Sequence, residues 1–557
     1  MATDNMIRGS GRKTIVLGLD GATWSVLDPL MAAGRLPQLA ALAARGVRAV
    51  ALSTTHPVSP VAWSSIATGK NPGKHGIFDF GRRAPGSYRI ETISARLQRG
   101  PTLWDLASRA GLRCGVFNVP VTYPPREVNG FMVTSIFTPS NQVTFTYPAA
   151  LSAELNALVD GYEIVTREVW GPGRERAYVD SIFQTIAKRE KALDWLLDRH
   201  PIDCGMLVYN ETDTIQHKAW PAGGFRGAAP PWPAEGVALV YERLDAALGR
   251  LIERFGPDTN ILLASDHGAG EMRGVMYINR WLMDRGYLRL KRSLAYPLKW
   301  FLARTDLLVR AYRAAQVLGL GALGRLVPGS LRESVATSFV SFDDVDWPHT
   351  QAYSFGEFGR IFLNLKGREP QGVVEPGAEA GRLLDRLAKE LGEVLDPATG
   401  RPVVTRVLRR DEVFHGPAAA EGPDLLFVID DYARDASVQF GIGRRGVLGE
   451  PEFMDRGCHR PEGVLVAAGP DIAPGRLDRV SVLDVTPTVL HLLGLPVPED
   501  MDGRVVTEIL APSAASRPVV RAAGGAAAPP PRSAEPAMTA DEQREVEKRL
   551  HDLGYLD

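Results

Sequence analysis

The segment Thr14-Ile-Val-Leu-Gly-Leu-Asp20 decides the fold class of this chain. Its apolar residues run without alternation and end at an acid, a pattern typical of a strand buried on both faces of a parallel sheet. Similar strands are predicted at Cys114–Val119, Gly205–Asn210 and Ile261–Ser265. Helical patterns such as Leu36–Arg45 and Val240–Phe255 lie between them. This alternation predicts an α/β fold with a mostly parallel central sheet and helices on both faces.

Carboxylates stand at or just after the ends of these strands. Asp20 closes the first strand, Asp213 follows the third and Asp266 follows the fourth. Ligands of open α/β sheets bind at the carboxyl ends of the strands. We therefore expect the functional site at this edge of the sheet.

Charge and cysteine content exclude several classes of protein. The 557 residues carry 64 basic and 65 acidic side chains, a net charge of -1, which argues against a protein that binds nucleic acid through a basic surface. The three cysteines are widely spaced and form no CxxC motif, so neither a disulfide framework nor a cysteine zinc cluster is expected. The polar start of the sequence lacks an apolar signal region, and no apolar run is long enough to span a membrane. A cytoplasmic location is the expectation.

Composition shifts divide the chain into six segments. We predict a polar tail (1–13), the first part of the main domain (14–285), an inserted helical cap (286–345), the second part of the main domain (346–510), a flexible linker (511–538) and a C-terminal helix (539–557). The insertion is rich in Leu and Arg and also holds Trp300 and Phe301, so peripheral membrane contact is the alternative to a cap. The linker is rich in Ala, Pro and Gly.

The C-terminal helix has its own start and stop signals. Thr539 and Glu542 form a capping box, and Gly554 follows the last turn. Val546, Leu550 and Leu553 share one face, so the helix is expected to pack against the rest of the chain or to dock.

The residues that follow Ser59 predict a short helix. Pro60 suits its first position, Gly69 suits its end, and Ser59 is expected to be the N-cap. A capping role alone would explain the serine. A hydroxyl at a helix N-terminus also lies where phosphate binds well, so a nucleophile is the second interpretation.

Six further residues form a candidate metal-ligand set, namely Asp20, Asp213, His217, Asp266, His267 and His459. Asp213 and His217 are four residues apart, which places both on one face of a helix. Three carboxylates and three imidazoles suit zinc or manganese. Each also has a structural alternative: a turn, a surface helix pair or a satisfied loop histidine.

The ordered motifs include Gly18-Leu-Asp-Gly-Ala22, Ser59 with Thr68-Gly69, Asn71-Pro-Gly-Lys-His-Gly-Ile77, Glu211-Thr-Asp-Thr-Ile-Gln-His217, Ser265-Asp-His-Gly268, Gly457-Cys-His-Arg-Pro-Glu-Gly463, Asp484-Val-Thr-Pro-Thr488 and Asp502-Gly-Arg504. Together they resemble the alkaline phosphatase superfamily, on the branch of type I phosphodiesterases, nucleotide pyrophosphatases and cofactor-independent phosphoglycerate mutases. The resemblance covers roughly residues 14 to 510 and is closest to bacterial proteins described as phosphohydrolases or phosphomutases.

This resemblance implies a three-layer, alkaline-phosphatase-like metallohydrolase fold and two divalent metal ions, with zinc the first choice and manganese the alternative. Asp20, Ser59, Asp266 and His267 would hold one metal. Asp213, His217 and His459 would hold the other. Ser59 would attack phosphorus and form a phosphoseryl intermediate.

Two departures from the relatives limit the substrate assignment. The nucleotide phosphodiesterases typically carry Thr as nucleophile and Asn three positions later, where this chain has Ser59 and Ala62. Candidate replacements for the lost phosphate donor are Asn210, Lys70, Lys74 and Arg460. Sulfatases share the fold but require a C/S-x-P-x-R frame, which Ser59-Pro-Val-Ala-Trp63 lacks.

The predicted function is a two-metal phosphohydrolase acting on a small phosphate mono- or diester. The same site could serve a phosphomutase, for which a cap would exclude water. A catalytically silent binding protein on this fold is the third alternative. The sequence leaves the oligomeric state open.

Overall fold

The computed structural model describes residues 12–225, 227, 229–291, 341–441, 446–450, 455–523 and 538–553. Trp300, Phe301 and Gly554 lie outside these ranges, as do most of the predicted cap and half of the predicted linker. The two described ends of the cap segment pair with each other through Leu290 and Val345. The two described ends of the predicted insertion therefore lie side by side.

The strands are β1 (Thr14–Leu19), β2 (Val47–Leu52), β3 (Gly81–Arg83), β4 (Ile90–Thr92), β5 (Cys114–Val119), β6 (Gly130–Thr134), β7 (Thr146–Tyr147), β8 (Cys204–Tyr209), β9 (Asn260–Ala264), β10 (Gly268–Glu271), β11 (Gly274–Tyr277), β12 (Ala352–Tyr353), β13 (Gly359–Leu363), β14 (Val404–Arg409), β15 (Leu425–Ile429), β16 (Arg434–Ser437), β17 (Leu448–Gly449), β18 (Gly457–Arg460), β19 (Glu462–Ala468), β20 (Gly475–Ser481), β21 (Val497–Pro498) and β22 (Arg521–Ala522).

The α-helices are α1 (Trp24–Ala32), α2 (Pro37–Arg45), α3 (Ser59–Thr68), α4 (Pro72–His75), α5 (Leu103–Arg109), α6 (Leu151–Leu158), α7 (Glu175–Arg199), α8 (Glu211–Ala219), α9 (Glu235–Phe255), α10 (Ile278–Asp284), α11 (Ala378–Gly392), α12 (Arg410–Val413), α13 (Val485–Leu492), α14 (Pro512–Ala515) and α15 (Ala540–Leu553).

The central sheet has nine strands in the order β20-β2-β19-β9-β1-β8-β5-β6-β7. Strand β1 pairs in parallel with both β8 and β9, and β5 continues the parallel run on the far side of β8. Strand β19 enters antiparallel between β2 and β9. The sheet is thus mostly parallel, as the sequence predicts.

Helices cover both faces of this sheet. Ile15 and Leu17 of β1 point to a core shared with α7 and α9. Val16 points to the opposite core, which is shared with α3 and α13. The full burial of alternate residues on both faces explains the uninterrupted apolar sequence of β1 and confirms the α/β fold class.

The later part of the chain builds a smaller layer beside the main sheet. Strands β12, β13, β15 and β14 form an antiparallel sheet in that order. Helix α11 packs on this sheet through Leu383, Leu387 and Leu391, which are spaced for one helix face. Among the helices within the described ranges, none is both long and apolar enough to cross a membrane.

Candidate active site

Three neighbouring strands deliver most of the predicted ligands to one edge of the central sheet. Asp20 follows β1, Asp213 and His217 lie on α8 directly after β8, and Asp266 and His267 follow β9. Since these strands are parallel and adjacent, their carboxyl ends meet. The clustering of the predicted acids thus follows from the order of the strands.

His459 reaches the same edge by a different route. It lies in β18, which pairs antiparallel with β10, so that His459 stands opposite Ala269. Strand β10 begins directly after His267, and the rings of His267 and His459 stack with their centroids 3.8 Å apart. A two-stranded ribbon therefore joins ligands that are far apart in the sequence.

We call Asp20, Asp266 and His267 the first half-site. One ligand atom from each residue lies within 4.8 Å of the others. His267 Nε2 is 3.3 Å from Asp266 Oδ2 and 3.5 Å from Asp20 Oδ1. All three side chains are buried.

We call Asp213, His217 and His459 the second half-site. His217 Nε2 lies 3.3 Å from Asp213 Oδ2, one helical turn away on α8. His459 Nε2 lies 3.6 Å from Asp213 Oδ1 and 2.9 Å from His217 Nε2. His267 also falls within 4.8 Å of the ligand atoms of Asp213 and His459, so it stands between the two half-sites.

Ser59 faces the first half-site. Its Oγ lies 3.0 Å from His267 Nε2 and 3.4 Å from Asp20 Oδ1. Its expected role as an N-cap is wrong: α3 begins at Ser59 itself, Val58 occupies the cap position, and no side chain caps this helix in the structure. The Val58 carbonyl accepts the N–H groups of Val61 and Ala62, which leaves the Ser59 hydroxyl directed at the cluster.

Hydrogen bonds from neighbouring residues hold one oxygen of each carboxylate of the first half-site. Trp63 Nε1 and Asn210 Nδ2 both donate to Asp20 Oδ2 at 2.9 Å, so Oδ1 is left facing Ser59. The backbone N–H of Gly21 donates to Asp266 Oδ1 at 3.2 Å. The remaining oxygens therefore point into the cluster.

Two of the three histidines, His267 and His459, are oriented through their Nδ1 atoms. His267 Nδ1 bonds the Gly268 carbonyl at 2.9 Å, and His459 Nδ1 bonds the Pro57 carbonyl at 2.7 Å. A carbonyl fixes Nδ1 as the protonated nitrogen, which leaves a lone pair on Nε2 toward the cluster. Metal-binding histidines are typically held in this way.

The two half-sites differ in their electrostatics. Burial, with repulsion from Asp213, raises the pKa of Asp20 to about 7, and burial with two neighbouring acids raises the pKa of Asp266. Burial also disfavours the charged form of Asp213, but His217 and His459 outweigh it and lower its pKa. Burial lowers the pKa of both His267 and His459.

The residues fit divalent metal ions. Asp266 Oδ2 is buried and accepts no hydrogen bond from the part of the chain that the structure describes. A cation would coordinate this oxygen and, by favouring the charged carboxylates, would lower the raised pKa values of Asp20 and Asp266. Close packing also fixes the ligands, because a Cβ at Gly21, whose φ is +67°, would lie 2.7 Å from Asp213 Oδ1.

The candidate phosphate contacts are placed differently from the predicted metal ligands. Lys74 Nζ pairs with Asp502 at 2.5 Å, and Lys70 pairs with Asp500. The Arg460 guanidinium donates to backbone carbonyls, including that of His459 at 2.9 Å. Of the four candidates, Asn210 alone bonds directly to a side chain of the six-residue ligand set within the described ranges.

Two further residues support the site although they match none of the sequence motifs: Trp63, and Ser135, whose hydroxyl donates to Asn210 Oδ1 at 3.4 Å. Trp63 falls one helical turn after Ser59, so the i, i+4 spacing was the one available signal. Nothing near Ser135 in the sequence indicates its contact with Asn210.

Comparison with solved structures identifies similar folds. Phosphonoacetate hydrolase from Sinorhizobium meliloti, in complex with phosphonoformate, is 17% identical, with a TM-score of 0.51, and the match covers 85% of this chain and 94% of that one. Human ectonucleotide pyrophosphatase / phosphodiesterase 5 is 14% identical, with a TM-score of 0.48 and coverages of 90% and 100%. No curated protein matches the sequence.

The sequence itself matches a family model. Residues 14–326 match the type I phosphodiesterase / nucleotide pyrophosphatase family, and this range takes in every predicted ligand except His459. The matched range is more than half of the 557 residues. The chain therefore belongs to the type I phosphodiesterase / nucleotide pyrophosphatase family, within the alkaline phosphatase superfamily, and is a phosphoric ester hydrolase.

Proposed function

We propose that this hydrolase cleaves a small phosphate mono- or diester at a two-metal centre, with Ser59 as the nucleophile. The observation that supports this most strongly is the position of Ser59 Oγ, 3.0 Å from His267 Nε2 at the edge of the buried acid and histidine cluster. An alcohol oxygen among six ligand side chains is suited to attack on phosphorus.

The metals would be held by the two half-sites, with Ser59 completing the first. Two divalent ions, when bound to the protein, would stabilise the negative charge on both the attacking and the leaving oxygens. Zinc is the ion that we expect first, because imidazole and carboxylate ligands suit it, and manganese is the alternative.

The chain's own residues prepare Ser59 for attack. Asp20 presents one oxygen to the hydroxyl while Trp63 and Asn210 hold the other. Ser59 begins α3, and the positive end of the helix dipole favours the approach of an anionic phosphate. Ser59 Oγ would lose its proton and bond to phosphorus while the P–O bond to the departing alcohol breaks, and the alcohol would leave with a proton. Water would then cleave the phosphoseryl bond, releasing phosphate from a monoester or a phosphate monoester from a diester and restoring the Ser59 hydroxyl.

Ala62 restricts the substrate class. Its methyl group donates no hydrogen bond, and its backbone N–H is already bonded to the Val58 carbonyl. The position that holds an Asn in nucleotide phosphodiesterases therefore offers no phosphate donor here. We infer that the substrate is a compact phosphate ester whose phosphate is held mainly by the metal centre.

The test is the Ser59→Ala variant. We expect turnover of p-nitrophenyl phosphate or bis-p-nitrophenyl phosphate to fall roughly 10³-fold or more, because the attacking oxygen is removed. The purified variant should keep about two zinc ions per chain, because the charged carboxylates of Asp20 and Asp266 and the imidazole of His267 would still hold the first ion. A parallel screen should include phosphonates, since a phosphonoacetate hydrolase shares the fold.

Ser64→Ala is the matched control. Ser64 lies on the same helix, is 1% exposed, and its Oγ has no hydrogen-bond partner within the described ranges. This variant should keep its turnover within about twofold, as expected of a substitution away from the reacting atoms. Full turnover by Ser59→Ala would refute the proposed nucleophile.

A further inference from the structure

The C-terminal helix packs against the main domain through an apolar cluster. Val546 and Leu550 of α15 are fully buried in an apolar cluster that also contains Ile136 and Phe137. The same cluster includes Val58, the residue before Ser59. The helix thus shares an apolar cluster with the residue that precedes Ser59.

Arg549 joins this helix to one segment of the main domain. Its guanidinium donates to the carbonyl of Ile136 at 3.3 Å and also to the carbonyls of Thr138 and Pro139. The Arg549 side chain is 13% exposed, and its nearest acid, Glu545, is 3.9 Å away. A planar fork of donors that bonds three carbonyls of one turn fixes the path of that turn.

The clamped segment, which we call the 134–139 turn, is also tied internally. Thr138 Oγ1 donates to the Ser135 carbonyl at 2.6 Å and lies 2.7 Å from Thr134 Oγ1. Both threonines are fully buried. A shift of the carbonyl groups that Arg549 holds would therefore also move Ser135.

Ser135 connects this turn to the first half-site. Its hydroxyl donates to Asn210 Oδ1 at 3.4 Å, and Asn210 Nδ2 donates to Asp20 Oδ2 at 2.9 Å. The contact with Ser135 selects the amide orientation that directs Nδ2 at Asp20. A continuous set of hydrogen bonds thus runs from Arg549, through the 134–139 turn and Asn210, to Asp20.

We propose that Arg549 is a positioning residue for the metal centre, acting through the 134–139 turn and Asn210 on the carboxylate of Asp20. This inference rests on the proposed function, since it takes Asp20 as a metal ligand. Partners that orient a metal ligand change metal affinity and activity even though they do not touch the metal. Through Arg549, the C-terminal helix accordingly helps to position a residue of the metal centre.

The test uses the full-length chain and measures zinc affinity by competition with a chelating dye, together with kcat and KM. Arg549→Ala should weaken zinc binding and lower kcat about 3- to 30-fold, the range of coupling through a network of packed groups. KM should change less than kcat, because Arg549 does not touch the substrate. Arg549→Lys, which keeps a charged donor, should recover part of both losses.

Arg544→Ala is the control on the same helix. The Arg544 side chain is 69% exposed and pairs with Asp541, so its loss should change neither zinc affinity nor kcat. Ser135→Ala keeps Arg549 and the helix in place but breaks the link to Asn210. It should reproduce the Arg549→Ala defect even if Arg549→Ala weakens the fold.

A double-mutant cycle with Asn210→Ala gives the sharpest result. If Arg549 acts through Asn210, then Arg549→Ala should cause no further loss of zinc affinity in the Asn210→Ala background. An equal loss in both backgrounds, or unchanged zinc affinity in both Arg549→Ala and Ser135→Ala, would overturn the proposal. A wild-type chain that binds no zinc and cleaves no ester would refute the proposed function, and the inference would fall with it.

Discussion

The two half-sites use the same residue types but balance their charges in opposite ways. The first combines Asp20 and Asp266 with the single histidine His267, and both carboxyl pKa values are raised. The second combines one carboxylate, Asp213, with two histidines, and the pKa of Asp213 is lowered. The first half-site therefore has an excess of acid, whereas the histidines of the second compensate its acid.

This difference has a physical consequence for the metal-free protein. Neighbouring buried acids repel each other and resist ionisation, so the first half-site gains most from a bound cation. The second half-site already has partners for its carboxylate. The hydrogen bonds from Trp63 and Asn210 to Asp20 belong to the half-site with the greater need for stabilisation.

The largest expected effect comes from removing one ligand from each half-site. Asp266→Ala and His217→Ala should each reduce bound zinc from about two ions to about one and lower turnover roughly 10³-fold, because both ions are needed for the charge that develops. Metal analysis by mass spectrometry and ester hydrolysis measure the two outcomes. If either variant still binds two ions, the assignment of that residue is incorrect.

The second effect concerns the stability of the chelator-treated protein. Asp213→Asn should lower the free energy of unfolding by about 3 kcal/mol, because it leaves buried histidines without their acid. Asp266→Asn should be neutral or stabilising by about 1 kcal/mol, since it removes an acid whose ionisation is disfavoured.

Urea denaturation of both variants without metal measures this difference. Equal destabilisation by the two substitutions would contradict the contrast between the half-sites.

A third, smaller effect tests the support of the first half-site. Trp63→Phe removes the N–H that holds Asp20 and should lower zinc affinity about 10- to 100-fold. Trp104→Phe is the control: Trp104 is 3% exposed, and its Nε1 bonds to no residue in the described ranges. Both variants lose a similar side-chain volume. If Trp104→Phe lowers zinc affinity as much as Trp63→Phe does, the effect of Trp63→Phe comes from packing and not from the lost hydrogen bond.

The smallest effect on turnover is expected at His75, a buried histidine outside both half-sites. Burial lowers the pKa of His75 to about 3, and its ring bonds Ser65 Oγ at 2.9 Å. Below about pH 6.5 His75 is protonated in the unfolded chain, whereas in the folded chain it stays neutral down to about pH 3. Stability should therefore fall by up to about 1.4 kcal/mol per pH unit as the pH drops across this window.

His75→Gln should reduce the slope of the unfolding free energy against pH by up to about 1.4 kcal/mol per pH unit in this window. Turnover at neutral pH should stay within about twofold of the wild type. Chemical denaturation at pH 4, 5 and 6 measures the slope. An unchanged slope would show that His75 is not the titrating group.

Much of the site could be predicted because it follows from the order of parallel strands. Asp20, Asp213 and Asp266 lie after strands that turn out to be neighbours, and the i, i+4 spacing of Asp213 and His217 survives on α8. The cap role of Ser59 was wrong because the helix starts one residue earlier than expected. The direction of a long side chain depends on distant partners, and for this reason Lys70 and Lys74 bond to Asp500 and Asp502.

The sequence by itself determined the α/β class, the edge of the sheet that carries the candidate site and the residue types of the predicted ligands. Local apolar runs and short spacings encode these features, since they depend on backbone periodicity. Only the tertiary structure decided that β18 brings His459 to His267, that Asn210 and Trp63 hold Asp20, and that Arg549 reaches the 134–139 turn. Those contacts join residues up to about 400 positions apart, and their geometry is fixed by packing, which no local pattern records.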